Sequence, residues 1–283
     1  MNWLFRISSF LSFYFRAKTV HRVHSPLVFD FLQNTLDDDR FYYAFRQIEK
    51  QEINLRRNKS KIQHTDFGAG SLGSSNGKKE RTIAEIARSA GSNAQKGQLL
   101  FRIANWWKPR SILEMGTSLG IGTAYLASAL KDRPEKKIQV HSFEGCPNLS
   151  VSAQKLWKKL KLKNIQVHTG DFKDTLPPFL AKERANLIFF DGNHQKGPTL
   201  QYFEWCMENV TEDSLFIFDD IRWNKDMLEC WTILAKDQRV TLSLDLYQMG
   251  VLLFKNTGRK QHFLLCPKHW KPWQMGFFAG KQS

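Results

Sequence analysis

Cysteine is scarce in this chain of 283 residues, which holds only Cys146, Cys206, Cys230 and Cys266. None form a C-x-x-C pair, and no Cys/His cluster has zinc-finger spacing. Free thiols in a reducing cytoplasm are therefore expected. Acidic residues are also few. The 27 Asp and Glu face 42 Lys and Arg, a formal net charge of +15. That surplus favours anionic partners (nucleic acid, an anionic membrane surface or an acidic substrate) or a generally basic soluble surface, and it says nothing of fold. Long apolar runs are missing too. The N-terminal MNWLFRISSFLSFYFRAKTV is apolar and aromatic, but Arg6 and Arg16 leave too short a stretch between charges to span a bilayer. It lacks the basic start and small-residue cleavage site of a secretory signal. An amphipathic helix is expected, packed on its own domain or a second subunit, with a membrane surface as the alternative.

What remains is ordinary globular material, 42% hydrophobic and 24% charged. It suffices for one full α/β domain with additions, or two small domains. Residues 1–79 read as a helical extension ending in a glycine-rich loop. Ser25-Pro26 is a helix start, followed by Val28, Phe29, Leu32 and Leu36 at helical spacing. FGAGSLGSSNGKK, from Phe67 to Lys79, reads as a loop, either a plain linker or a lid over ligand. Thr82-Ile83-Ala84-Glu85 is a capping box for a short helix stopped by Gly91. A second helix puts Leu99, Leu100, Ile103 and Trp107 on one face and ends at Pro109.

From Ser111 short apolar runs alternate with helical segments: Ile112–Met115, Ile138–Phe143, Ile165–His168, Leu187–Phe190 and Leu215–Phe218. That alternation predicts a Rossmann-like α/β domain over residues 80–257, with a doubly wound and mostly parallel sheet. Val240–Leu246 and Val251–Phe254 predict a closing hairpin, so the last strand runs antiparallel. The basic, aromatic tail of residues 258–283, with Trp270, Trp273 and Phe277, receives no element. No internal repeat is present.

The segment SILEMGTSLGIGTAYLA is strand, glycine loop and helix. Its glycines allow a sharp turn and close backbone approach, and the helix start offers unpaired N–H groups to a ligand. The spacing Gly116-x-x-x-Gly120-x-Gly122 is not the G-x-G-x-x-G of dinucleotide folds, which disfavours an NAD-dependent dehydrogenase. Glu114, just before the first glycine, suits a ligand with a cationic amine better than a pyrophosphate. Glu144 ends the next strand, where an acid can accept bonds from ribose hydroxyls. Asp171, after the third strand, can accept an adenine amino group, with Phe172 beside the ring.

These residues resemble the class I S-adenosylmethionine-dependent methyltransferases, and within them the catechol-O-methyltransferase-like small-molecule group, from roughly Glu80 to Lys255. The resemblance implies that Glu114, Gly116, Thr117, Ser118, Gly120 and Gly122 border the methionine part of S-adenosylmethionine. It puts Glu144 at the ribose and Asp171 at the adenine.

After the fourth and fifth strands stand Asp191, Asp219 and Asp220, at the crevice end of a parallel sheet. Three converging carboxylates need neutralising, and Mg²⁺ prefers such ligands, so a metal at these three residues is expected. The family's metal-dependent members carry Asp-Asn more often than this chain's Asp219-Asp220, and an Asp-Asp pair can equally cap a helix. His194 stands three residues after Asp191, where the family places a general base; Asp191 joins it as a catalytic residue and is also expected to border the cofactor. The function expected is O-methylation of a small hydroxylated molecule by a cytoplasmic enzyme, in a group that is often homodimeric. Two alternatives remain. One is an RNA methyltransferase, motivated by Lys155, Lys158, Lys159, Lys161 and Lys163, although nucleic acid is not the expected partner. The other is a non-enzymatic module that contacts a membrane or protein through the N-terminus.

Overall fold

A computed structural model describes residues 3–64, 79–89, 94–131, 139–256 and 258–275. The chain opens with α1 (Trp3–Arg16), α2 (Pro26–Asn34) and α3 (Tyr43–Arg57), followed by β1 (Lys61–His64), β2 (Lys79–Thr82), α4 (Ile83–Ser89) and α5 (Ala94–Trp107). β1 and β2 pair antiparallel. Between them lies most of the glycine-rich stretch, outside the described residues, as does Gly91. The capping box is formed: Glu85 N–H donates to Thr82 Oγ1 at 3.1 Å, and Thr82 N–H donates to the Glu85 carboxylate at 2.8 Å. Pro26 opens α2 as expected, and Val28, Phe31 and Leu32 are buried. Phe29, placed on the same face by spacing, stays 39% exposed.

The α/β core then runs β3 (Ser111–Met115), α6 (Ile121–Ser128), β4 (Gln139–Glu144), α7 (Pro147–Lys159), β5 (Ile165–Thr169), α8 (Phe172–Leu180), β6 (Leu187–Phe190), α9 (Lys196–Met207), β7 (Leu215–Phe218), α10 (Lys225–Lys236), β8 (Leu242–Asp245) and β9 (Gly250–Leu253). A last strand, β10 (Gln261–Leu264), follows. The sheet order is β10-β8-β9-β7-β6-β3-β4-β5. β9 runs antiparallel to both neighbours, and every other pair is parallel. This is the expected mostly parallel sheet with an antiparallel strand near its end. β10 is an addition, four residues with weak alternation that gain their place by pairing with β8.

Alternate residues of each strand feed opposite faces of the sheet. Ile112 joins the apolar cluster built with Ile103, Tyr125 and Trp157. Leu113 and Met115 join the cluster built with Phe179, Phe203 and Trp231. The sheet is thus covered on both sides, and its functional groups are confined to strand ends.

α1 packs on its own domain. Phe13 is 1% exposed, and the Phe10 ring meets Tyr247 at 5.2 Å. The Tyr14 hydroxyl donates to the Trp270 carbonyl at 2.9 Å, so the N-terminal helix and the tail hold each other. Among the described residues no helix is long and apolar enough to cross a membrane.

Candidate active site

The site lies where β3, β4, β5, β6 and β7 end. The loop from β3 to α6 turns at Gly116, φ +102°, and Gly120, φ +81°. A Cβ on Gly116 would stand 2.5 Å from the Asp191 carbonyl oxygen, and one on Gly120 would stand 2.6 Å from Trp157 Nε1. Both positions therefore require glycine for backbone angle and for space. Trp157 Nε1–H donates to the Gly120 carbonyl at 2.9 Å and pins the turn from α7. No side chain caps α6 at Gly120.

Three acids stand at or just beyond the carboxyl ends of the first three core strands, each held differently. Glu114 is 1% exposed and faces under the loop, accepting hydrogen bonds from Thr123 and from Ser142 at 2.5 Å. Burial pushes its carboxyl up to about 7 against the pull of those two hydroxyls. Thr117 Oγ1 lies 2.5 Å from the same Ser142 hydroxyl. Glu144 accepts the Ser118 N–H at 2.7 Å and the Cys146 N–H at 2.8 Å, tying the loop to the end of β4. Asp171 caps α8, accepting the Lys173 N–H at 2.9 Å. Phe172, next to it, packs edge-on to Tyr202 at 5.6 Å between ring centres.

At the chemical end, β6 and β7 are parallel neighbours, and Asp219 N–H donates to the Phe190 carbonyl at 2.9 Å. Asp191, Asp219 and Asp220 lie near enough to influence one another's charge. A residue the sequence did not single out joins them. Lys96, from α5, is 7% exposed, and its ammonium contacts Asp219 and lies 3.5 Å from Asp220 Oδ1. Burial works against its charge, but Asp219, Asp191 and Asp220 together hold its pKa above the ordinary lysine range. Burial is the strongest single influence on Asp219 and opposes its charge, yet Lys96, the Asp191 hydrogen bond and His194 together keep that carboxyl below the usual range. Asp191 is driven well above it by burial and by Asp219, and Asp220 is raised for the same two reasons. The signal for Lys96 was present: it stands four and seven residues before Leu100 and Ile103, on the apolar stripe of α5.

His194 Nε2 lies 3.7 Å from Asp191 Oδ1, and the Trp223 ring stacks over the imidazole at 6.2 Å. Asn193, His194 and Asp220 all have positive φ, at 69°, 32° and 49°. Such strain in side-chain-bearing residues clusters at functional sites. The five lysines of and after α7 are all exposed.

The donor set does not fit a divalent metal. The Lys96 ammonium already supplies the neutralising charge between Asp219 and Asp220. Among the described residues no group of three or more His, Cys, Asp or Glu is arranged to hold a metal ion. The expected Mg²⁺ site at Asp191, Asp219 and Asp220 thus lacks structural support.

Residues 113–221 match the family model described as "Methyltransferase domain". A curated relative, catechol O-methyltransferase of Niastella koreensis, is 30% identical over 145 residues, which are 50% of this chain and 62% of that protein. This chain therefore matches less than two thirds of that relative's length. Among solved structures, the O-methyltransferase of Bacillus cereus in complex with SAH is 17% identical with a TM-score of 0.53, covering 76% of this chain and 93% of that one. An SAH-bound methyltransferase of Podospora anserina is 14% identical with a TM-score of 0.55, covering 81% and 94%. Residues 113–221 of this chain thus match a methyltransferase domain, and they lie in an α/β core whose fold is similar to that of these solved structures.

Proposed function

We propose that the protein is an S-adenosylmethionine-dependent O-methyltransferase acting on a small hydroxylated molecule. One observation carries this reading. The loop at Gly116 and Gly120 is built against the backbone of Asp191, so a ligand held on the loop borders the His194, Asp191, Asp219 and Lys96 cluster. Glu144, at the end of β4, and Asp171, just after β5, add two acids along the same edge of the sheet. The SAH bound by the two solved relatives supports this ligand class. The names of the curated relatives support a catechol-like acceptor.

A bound sulfonium supplies an electrophilic methyl group. His194 would accept the proton of the acceptor hydroxyl as its oxygen bonds to that methyl in line, while the methyl–sulfur bond breaks and its electron pair stays on the departing thioether. Asp191 stands 3.7 Å from the imidazole, and the Trp223 face forms a wall beside it. Lys96 keeps Asp219 charged and the cluster neutralised. Calorimetry tests the reading. Wild-type protein should bind S-adenosylmethionine at one site and a folded Gly116→Val variant should not. Equal behaviour of the two would refute it.

A peripheral membrane contact is a second reading, supported by the exposed Trp3, Leu4, Ile7, Leu11 and Phe15 along α1. Cosedimentation with anionic liposomes, with and without α1, tests it. A cytoplasmic location is proposed on four buried, unpaired cysteines.

A further inference from the structure

A cavity of about 600 Å³ lies between α1, α10 and the β8–β10 edge of the sheet, away from the glycine loop. That volume is in the range of small-molecule sites. None of the residues proposed for methyl transfer lines it, and all of its lining residues fall outside the matched segment 113–221.

Its wall is two-sided in chemistry. Phe13, Trp231 and Leu264 supply apolar surface, and Arg16, Lys236 and Lys260 supply exposed cations. Lys260 also donates to the Asp237 carbonyl. The carboxylate on the wall, Asp245, is already engaged: both its oxygens accept from Arg222 at 2.6 Å. The Arg222 guanidinium is fixed further by the Tyr247 carbonyl at 3.0 Å and by the rings of Phe13 and Tyr247 at 5.2 and 5.3 Å. Its side chain is only 10% exposed. Arg222 Nε and Ser9 Oγ, on residues that line the cavity, are buried without a hydrogen-bond partner among the described residues, a costly state that an acceptor oxygen would relieve.

We propose that this cavity binds an amphipathic organic anion, an apolar chain or ring ending in phosphate, sulfate or carboxylate. The head is held by Arg16 and Lys236, and the body lies on Phe13, Trp231 and Leu264. The inference goes beyond the methyl-transfer reading and does not depend on it.

The test is calorimetry of the full chain with dodecyl phosphate below its micelle concentration, against dodecyltrimethylammonium. One saturable site is expected for the anion and none for the cation. Reversal of two rim charges, Arg16→Glu with Lys236→Glu, should weaken binding by about tenfold or more. Thr232→Trp, at an exposed lining position, should block the cavity. Both variants should keep S-adenosylmethionine binding at the wild-type level, which separates this site from the glycine loop. Vesicles of phosphatidylcholine with phosphatidic acid form a second arm. Loss of vesicle binding in the same variants assigns a bilayer lipid; binding of free amphiphile alone assigns a soluble ligand. No binding, equal binding of the cation, or variants that bind dodecyl phosphate as wild type does would overturn the proposal.

Discussion

The ammonium of Lys96 contacts the carboxylate of Asp219 with side-chain exposures of 6% and 0%. Removing one partner of such a pair leaves the other charge buried and unpaired, at a cost of about 3–5 kcal/mol. Lys96→Met should therefore lower the urea midpoint sharply. The double variant Lys96→Met/Asp219→Asn should recover much of the loss, because no bare charge remains. A single variant as stable as wild type would show that the pair does not hold.

The same contact bears on metal. With Lys96 between Asp219 and Asp220, methyl transfer should continue in excess chelator, and Mn²⁺ should show no bound signal by paramagnetic resonance. Lys96→Ala removes the cation and leaves three carboxylates together, so this variant should gain Mn²⁺ binding. Chelator-sensitive wild-type activity would overturn this.

Much of the site was legible because its parts are contiguous in the chain. The glycine loop, Glu144, Asp171 and the Asp219-Asp220 pair each follow a short apolar run, and the parallel sheet gathers run ends at one edge. Lys96 was legible only as a lysine on the apolar stripe of α5, and its partners were not. It comes from a helix before the first core strand, and only tertiary packing brings it to Asp219. The orientation of Glu114 was hidden for a similar reason. Whether that acid faces the cleft or the hydroxyls of Thr123 and Ser142 is decided by the pleat of β3 against β4. β10 escaped because four weakly patterned residues make a strand only once β8 offers an edge.

His194 sits where a proton acceptor is needed, 3.7 Å from Asp191 and under Trp223. His194→Gln keeps a polar side chain of similar reach but cannot act as a base at neutral pH. Turnover should fall by about 10²–10⁴-fold, the usual worth of general base catalysis. Calorimetric binding of S-adenosylmethionine should stay unchanged, since no loop contact involves this residue. Turnover within a few-fold of wild type would move the base elsewhere.

Glu114 gives the protein a pH-dependent stability of unusual sign. Burial raises its carboxyl to about 7 from an ordinary 4.5, so the folded state holds this proton more tightly than the unfolded chain. The stabilisation is complete below about pH 4.5 and is lost as pH rises through about 7. At about 1.4 kcal/mol per pH unit the swing is roughly 3 kcal/mol. Glu114→Gln stays neutral throughout and still offers an oxygen to Thr123 and Ser142. Urea midpoints of the two proteins should therefore be similar at pH 4 and diverge by pH 8, with the variant the more stable. Other groups titrate in this range, but they are shared, and the difference between the two curves isolates Glu114. Parallel curves from pH 4 to pH 8 would show that the carboxyl under the loop titrates alike in the folded and unfolded chain, its two hydroxyl donors offsetting the cost of burial.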